Sequence, residues 1–532
     1  MDLTGEILLG LMVAVAALAT VARLLNLPYP ILLMLGGLAL GFMPGLPDVK
    51  LDPDLVLVLV LPPLLYSAAF FSSLRDLRAH LRPISMLAIG LVVLTACLVA
   101  LVAHALIPGL PWAAAFVLGA VVAPTDPLAA TTIARRLGVP RSLVTIIEGE
   151  SLINDGTALT AYRFAVVAAV GGSVSLSELG FQFVVDVAGG IAVGLVAAFV
   201  IGEVRRRLDD PPVEVTISLA TGYAAYLPAE QLGLSGVLAA VSAGIYLGWL
   251  APDIASARMR MQGYAVWETL TFLLNAVLFM LVGLQLPIVL DGLESRSTAE
   301  LIGYAAAICA TVVGARLLWL NTTPYVIRAL DRRESQRVRR RGWQDRMVIG
   351  WAGMRGAVSL AAALAIPLET AAGAPFPGRD LIIFLAFCVI LFTLVVQGLT
   401  LPALIRRLGV EDDDGEAREE IQARVTAAEA ALERLSELEN EDWTNADTVE
   451  RVRGMHQYRR RRFNAQQEGD SSGDGIEERS RAYQQLTREL LSAQQESLVR
   501  LRKSGDISDE VMRRVQRDLD LEDTRLETPR AD

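Results

Sequence analysis

The sequence is poor in the residues that form disulfides and most metal sites, with three cysteines and three histidines among 532 residues. Cys97, Cys309 and Cys388 all fall within predicted apolar spans, so we expect packing roles and no disulfide framework. None of the histidines has the spacing of a metal-ligand pair. These absences argue against a disulfide-stabilised domain and against a metalloenzyme, and we expect no cofactor.

Charged residues are also few, at 20% of the chain, and the formal net charge of −10 argues against nucleic acid as a partner. The first apolar stretch has neither a basic segment before it nor a small-residue cleavage site, so we expect it to remain as a helix. Apolar residues, in contrast, make up 53% of the chain, and the mean hydropathy is +0.44. That composition is typical of a membrane protein.

Apolar stretches recur from the N-terminus to about residue 405, and a bilayer core of about 30 Å needs about 20 apolar residues per helix. The pattern predicts an all-α membrane protein with about thirteen transmembrane helices. The predicted spans are 5–25, 28–45, 53–71, 83–107, 112–134, 144–170, 180–201, 213–227, 232–250, 262–286, 300–322, 347–366 and 379–405.

Arginines are concentrated in alternate connections, most densely between Arg328 and Arg346, and basic residues accumulate on the cytoplasmic side of membrane proteins. We therefore predict a multi-pass protein of the cell membrane with its N-terminus outside and its C-terminus in the cytoplasm. Residues 1–405 form the predicted transmembrane domain. Residues 406–532 are rich in Glu, Arg, Gln and Ala and predict a cytoplasmic helical tail, which is either a solvated appendage or a regulatory or dimer-supporting domain.

Two of the predicted spans contain residues that interrupt a helix. In the fifth, Thr125 and Asp126 stand between two prolines, which remove backbone donors and disfavour a continuous helix. In the twelfth, the segment 353–359 combines small residues with Arg355. A pair of interrupted segments in the two halves of a chain is typical of an inverted-repeat transporter whose broken helices cross near the midplane. Asp126 and Arg355 are then expected to offset helix-end dipoles of opposite sign.

The sixth predicted span carries three carboxylates. A charge held in hydrocarbon costs about 2.5–3.5 kcal/mol on insertion scales, so intramembrane carboxylates usually mark an ion or proton pathway. At about 100° per residue, Ser151 and Asp155 lie one above the other with Glu148 beside them, while Glu150 and Asn154 form a neighbouring stripe. One face therefore presents carboxylate and hydroxyl oxygens suited to a cation, and the other can hold an ion pair.

Three motifs together resemble those of bacterial sodium/proton antiporters of the monovalent cation/proton antiporter superfamily, in the NhaP-like, Na+/H+ exchanger branch. They are Pro124-Thr125-Asp126-Pro127, Gly149-Glu150-Ser151-Leu-Ile-Asn154-Asp155 and Gly353-Met-Arg355-Gly-Ala-Val-Ser359. The resemblance covers about residues 5–405. It implies a homodimeric transporter, not an enzyme, that exchanges Na+ or Li+ for protons across the plasma membrane, electroneutrally, for pH and sodium homeostasis.

The resemblance also implies a role for each residue of the second motif and its surroundings. Asp155 is implied to bind a proton and a cation in turn, with Asn154 as the partner that is characteristic of electroneutral relatives. Thr125, Asp126 and Ser151 are implied to complete the Na+ site with Asp155.

Two further positions bear on the resemblance. Glu150 and Arg355 match a structural ion pair of the family. Ser67, after the Pro62-Pro63 pair of the third span, stands where several relatives carry an acidic residue. The third span therefore offers no carboxylate at that position.

Other functions remain as alternatives. A K+/H+ or broad monovalent cation/H+ antiporter could use the same residues, because cavity size and flexibility, and not ligand identity, separate these cations. An intramembrane aspartyl protease using Asp126 and Asp155 would require a GxGD-type segment, which the sequence lacks. A membrane sensor would require an output domain, and the tail contains no recognisable one.

Overall fold

The computed structural model describes residues 2–44, 53, 55–171, 176–293, 296–330, 342–411, 415–467 and 476–526. The described residues form helices, with no strand and one isolated β-bridge between Glu369 and Pro375. The all-α class predicted from the sequence is therefore confirmed. The chain divides into two compact units, Met1–Glu411 and Asp412–Asp532. Most of the arginine-rich connection, residues 331–341, lies outside the described residues.

The first half of the larger unit is a run of nine described α-helices. They are α1 (Asp2–Leu24), α2 (Tyr29–Gly41), α3 (Leu61–Phe70), α4 (Leu74–Ala79), α5 (Leu81–Ser85), α6 (Val92–Leu106), α7 (Trp112–Val122), α8 (Leu128–Arg136) and α9 (Arg141–Val170). Two π-helical segments, Leu55–Val60 and Met86–Leu91, run directly into α3 and α6.

The second half of the larger unit contributes ten more helices in the described ranges. They are α10 (Leu176–Arg205), α11 (Pro211–Gln231), α12 (Gly236–Ile254), α13 (Ala257–Leu284), α14 (Leu286–Asp291), α15 (Thr298–Leu330), α16 (Trp343–Trp351), α17 (Ala357–Leu364), α18 (Arg379–Phe392) and α19 (Gly398–Leu408). The π-helical segment Thr393–Gln397 joins α18 to α19. The smaller unit contains α20 (Gly415–Leu438), α21 (Ala446–Gln467), α22 (Ile476–Ser504) and α23 (Asp509–Leu526).

Many of these helices are apolar enough to lie in a bilayer. Within the described ranges, six are also long enough to cross one: Leu81–Leu106, Gly180–Arg205, Gly236–Ile254, Ala257–Leu290, Thr298–Ile327 and Arg379–Leu408. Shorter apolar helices are Leu9–Leu24, Tyr29–Gly41, Val56–Phe70 and Trp112–Val122. The count of thirteen spans stays a prediction, because several predicted spans are too short or too polar to be recognised by length and composition. The inverted repeat also stays a prediction.

The predicted fifth span is broken where the sequence indicates, between α7 and α8. Pro124 and Pro127 have no N–H to donate, so neither can continue the helical hydrogen-bond ladder. The helix resumes at Leu128, whose backbone N–H donates to the Oδ1 of Asp126 at 2.9 Å. Asp126 therefore provides an acceptor for one of the open donors in the first turn of α8.

The predicted twelfth span is also broken, between α16 and α17, and its break lies against the first one. The backbone N–H of Asp126 donates to the carbonyl of Met354 at 2.8 Å, which joins the two irregular segments directly. A Cβ added at Gly356 would lie 2.0 Å from the Oδ2 of Asp126 and 2.7 Å from its Cγ. Only glycine therefore permits this close approach.

The close approach predicts that Gly356→Ala destabilises the larger unit. The added methyl group must separate the two breaks, and overpacking of this kind costs about 1–3 kcal/mol. We expect a lower midpoint of thermal unfolding in detergent. Gly314→Ala is the matched control, because Gly314 lies within α15 and no atom is within 4 Å of the position that an added Cβ would take. An unchanged midpoint for Gly356→Ala would show that the breaks are not packed as described.

Candidate functional site

Asp126 lies at the N-terminal ends of both half-helices that follow the breaks. Its Oδ1 accepts the Leu128 N–H of α8, and its Oδ2 lies against Gly356, the residue that precedes α17. Open N–H groups at helix N-termini carry partial positive charge. The two helix ends therefore stabilise a negative charge on this carboxylate.

Arg355 lies at the opposite ends of the broken helices. Its Nε donates to the carbonyl of Val122, the last residue of α7, at 3.1 Å. Its Nη1 donates to the carbonyl of Gly353, just after α16, and its backbone N–H donates to the Oγ1 of Thr393 at 3.1 Å. Open carbonyls at helix C-termini favour a cation. This geometry agrees with the expectation that Asp126 and Arg355 offset end dipoles of opposite sign.

The prediction that Glu150 forms an ion pair with Arg355 is wrong, because Glu150 has a different partner. Glu150 is paired with Arg316 of α15 through both carboxylate oxygens, with 2.8 Å between Nη2 and Oε2 and a second contact between Nη1 and Oε1. Both side chains are buried, and Arg316 also donates to the carbonyl of Ile349. The reason for the difference is that the Arg355 guanidinium is already used by helix-end carbonyls.

Arg316 was not among the site residues predicted from the sequence. It is the only charged residue within the eleventh predicted span, residues 300–322, apart from Glu300 at its start. An arginine in an apolar span requires a carboxylate or carbonyl partner, so its presence was a usable signal. The sequence did not show which carboxylate it meets, because Glu150 is 166 residues away.

A chain of hydrogen bonds connects this ion pair to the first break. The Oγ1 of Thr125 donates to the Oε1 of Glu150 at 3.3 Å and accepts from the Nδ2 of Asn154 at 2.9 Å. The Oγ of Ser151 donates to the backbone carbonyl of Thr125 at 2.7 Å. The network therefore fixes Thr125 against α9 and, through Arg316, against α15.

A cavity of about 940 Å³ opens beside this network. Four of the seven predicted site residues line it: Thr125, Asp126, Ser151 and Asp155. The other three, Glu150, Asn154 and Arg355, are buried behind the wall. The structure thus separates the predicted set into residues that face the cavity and residues that hold those in place.

The three acidic side chains Asp126, Glu150 and Asp155 differ in what neutralises them. Glu150 is held by Arg316, and Asp126 by the N–H of Leu128 and the adjoining helix end. Asp155 is 7% exposed, and within the described part of the chain no donor is hydrogen-bonded to its carboxylate. Its oxygen lone pairs therefore remain available for a proton or a cation.

The cavity wall also includes polar residues that the predicted set left out. Glu268 and Asn275 of α13 line the cavity, as does Ser359 of the third motif. Ser67 lines it too, and its hydroxyl donates to the carbonyl of Leu64 at 3.0 Å. Position 67, after the Pro62-Pro63 pair, therefore lines the cavity as a serine.

The Glu150–Arg316 pair predicts strong energetic coupling. Removing one partner of a buried pair costs about 3–5 kcal/mol, so Glu150→Gln and Arg316→Gln should each lower the unfolding midpoint in detergent. The double variant should lose less than the sum. Arg207→Gln is the control, since it removes one partner of the exposed Arg207–Glu203 pair and should cost less than about 1 kcal/mol. Additive losses in Glu150→Gln/Arg316→Gln would contradict the pairing.

The amino-acid sequence is similar to those of known proteins along most of its length. The family of transmembrane sodium/hydrogen exchangers matches residues 10–407. A protein of Mycobacterium tuberculosis named an uncharacterised Na+/H+ exchanger is 38% identical over 529 residues, covering 98% of this chain and 96% of that protein. The Na+/H+ antiporter ApNhaP of Aphanothece halophytica is 34% identical over 435 residues, covering 81% and 80%. The sodium, potassium, lithium and rubidium/H+ antiporter of Bacillus subtilis is 32% identical over 505 residues, covering 92% and 73%.

A solved structure has a similar fold. The sodium proton antiporter MjNhaP1 from Methanocaldococcus jannaschii aligns with a TM-score of 0.59 at 20% identity, covering 77% of this chain and 99% of that one. The family resemblance inferred from the three motifs is confirmed. The chain belongs to the transmembrane sodium/hydrogen exchanger family and is a multi-pass membrane transporter, not an enzyme, that exchanges a monovalent cation for protons.

Proposed function

We propose that the protein exchanges Na+ or Li+ for H+ across the cell membrane and that Asp155 binds the two ions in turn. The observation that carries the proposal is the state of the three acidic side chains. Glu150 is paired with Arg316 and Asp126 is held by helix ends, whereas Asp155 faces the cavity without a protein donor among the described residues.

Oxygen ligands suited to a cation line the same cavity as Asp155. The Ser151 hydroxyl donates its proton to the Thr125 carbonyl, so the lone pairs of its oxygen remain for a cation. Asp126 and Thr125 supply further oxygens, and such hard ligands suit Na+ and Li+. Asn154 does not line the cavity and acts as a positioning residue through the Thr125 hydroxyl.

Exchange follows from competition at this one carboxylate. Desolvation disfavours an unpaired charge at membrane depth. The site at Asp155 therefore changes its exposure from one side of the membrane to the other when Asp155 carries either a proton or a cation. The site changes its exposure poorly when Asp155 is empty and charged, and this couples the proton flux to the cation flux. Export of Na+ in return for protons would contribute to sodium and pH homeostasis.

The proposal also includes the arrangement of the protein in the membrane. The arginine-rich connections support an N-terminus outside and a C-terminus in the cytoplasm. We also propose that the protein forms a homodimer. We further propose that the cytoplasmic helical tail, residues 406–532, has a regulatory role.

Asp155→Asn is predicted to abolish exchange while the protein remains folded and inserted. The amide keeps the shape of the side chain but can neither bind a proton nor compensate a cation. Proton flux in everted membrane vesicles, with Na+, Li+ and K+ added in turn, measures the effect. Asp186→Asn is the matched control, because Asp186 is a buried aspartate of α10 that is bonded to Gln182 and is not among the residues lining the cavity. Substantial exchange by Asp155→Asn would refute the assignment of the carrier.

A second candidate is a K+/H+ or broad monovalent cation/H+ antiporter. The relative from Bacillus subtilis supports it, since its name includes potassium and rubidium beside sodium and lithium. Cavity size and flexibility decide between these cations, and the ligand set is the same. Proton flux that K+ drives as well as Na+ in the same vesicles would favour this second candidate.

The charge distribution of the site favours one-for-one stoichiometry, and the prediction is that exchange carries no net charge. We infer that the two helix N-termini keep Asp126 charged, and Asn154 is neutral, so Asp155 is the one group of the proposed site that exchanges its proton. In proteoliposomes, an imposed membrane potential should leave the rate and the final cation gradient unchanged. A potassium-diffusion potential sets the voltage. If K+ is itself a substrate, a thiocyanate gradient sets the voltage instead. Measurable charge movement would instead make Asp126 a second proton carrier.

A further inference from the structure

Glu148 lies at the mouth of the cavity, the end nearer to solvent, on the same helix face as the proposed carrier. Glu148, Ser151 and Asp155 all line the cavity, and their spacing of three and four residues puts them on one face of α9. At 1.5 Å per residue, Glu148 lies about 10 Å along the helix axis from Asp155. The Glu148 side chain is 28% exposed, so it lies closer to solvent than the 7% exposed Asp155.

Arg135 holds this carboxylate at the mouth through a single contact. The Nη2 of Arg135 lies 2.7 Å from the Oε1 of Glu148, and the Arg135 side chain is 68% exposed. Within the ranges that the structure describes, no donor is bonded to the Oε2 of Glu148. Exposed ion pairs are weak and are screened by salt, so a cation can displace this guanidinium.

The two helices that form this part of the wall each connect the mouth to the inner site. The α8 helix begins beside Asp126 and carries Arg135 in its last turn. The α9 helix carries Glu148 and Asp155 seven residues apart. A cation that leaves Glu148 therefore meets the Ser151 hydroxyl before Asp155, along one face of one helix.

The remaining charges near the mouth are mostly positive. Arg23, Arg136 and Glu268 also line the cavity, and all three are exposed. Arg136 donates to the backbone carbonyl of Asn26 at 2.8 Å and not to Glu148. Guanidinium groups beside the opening repel an arriving cation, so the carboxylate of Glu148 is needed to offset them.

We propose that Glu148 is an acceptance site for the transported cation at the cavity mouth and that Arg135 is the counter-ion that the cation displaces. This inference rests on the proposed function, because it takes Asp155 as the inner carrier. Glu148 then sets the apparent affinity for the cation on this side of the membrane, and the exchange step stays at Asp155. Because the Glu148–Arg135 pair is exposed, a cation can separate it, unlike the buried pair of Glu150 and Arg316.

The test is a titration of Na+-driven proton exchange in everted membrane vesicles, which present the predicted cytoplasmic face. Glu148→Gln should raise the apparent KM for Na+ about 5-fold with the maximal rate unchanged, because only the attraction at the mouth is lost. Arg135→Gln should lower the apparent KM about 3-fold, because Glu148 no longer has a competing counter-ion. Both shifts should shrink in high concentrations of choline chloride, which screens the exposed charges.

The double variant separates a specific pair from a diffuse charge effect. Since Arg135 acts through Glu148, Glu148→Gln/Arg135→Gln should have the KM of Glu148→Gln alone. Arg136→Gln removes the same charge from the neighbouring residue and should change the KM less than about 2-fold. The proposal would be overturned if Arg135→Gln and Arg136→Gln shifted the apparent KM equally and if the shift in the double variant were the sum of the Glu148→Gln and Arg135→Gln shifts.

Failure of the inference can be told apart from failure of the proposed function. Absence of cation-driven proton exchange in the unmodified protein would contradict the proposed function itself. Normal exchange with an unchanged KM in Glu148→Gln would overturn only the acceptance site at the mouth. If Glu148→Gln does not accumulate in the membrane, Arg135→Gln decides, because an unchanged or raised KM in that variant also overturns the proposal.

Discussion

Lipid cannot satisfy the backbone groups left open by a broken helix, so at membrane depth each needs a partner in the protein or in a cavity that it lines. The larger unit meets this constraint with two charged side chains and one backbone bond. Asp126 faces the N-terminal ends of two half-helices, Arg355 donates to carbonyls at the two C-terminal ends, and the Asp126 N–H is bonded to Met354. The close approach at Gly356 keeps these groups together.

This use of Asp126 and Arg355 determines the chemistry left to the other residues. Because Arg355 is bonded to carbonyls, it is not available to Glu150, which is neutralised by Arg316 from a third element. The neutral pair then anchors Thr125 through a hydrogen bond. Asp155 remains on the cavity wall as a largely buried carboxylate without a hydrogen-bonded donor or ion-pair partner among the described residues, and the role proposed for it rests on that isolation.

Local sequence features predicted the positions of the breaks and four of the residues that line the cavity. Prolines on both sides of Asp126 prevent a continuous helix wherever the segment lies in the fold, because the donors are missing from the chain itself. The spacing of Ser151 and Asp155 puts them on one face of any α-helix, and both line the cavity. The family motifs depend on the same local chemistry, which is why the family was identified from them.

The sequence by itself determined the all-α membrane class, the family, the two helix breaks and the helix face that carries Asp155. Only the tertiary structure decided which charges are partners. An intramembrane arginine requires an acceptor, but the sequence does not say whether that acceptor is a carboxylate or a helix-end carbonyl. Arg355 has carbonyls and Arg316 has Glu150 because the tertiary structure brings the Arg316 side chain of α15 to Glu150 of α9 and the two breaks beside each other. Electrostatic pairing acts over a few ångströms in space, and separation along the chain carries no information about it.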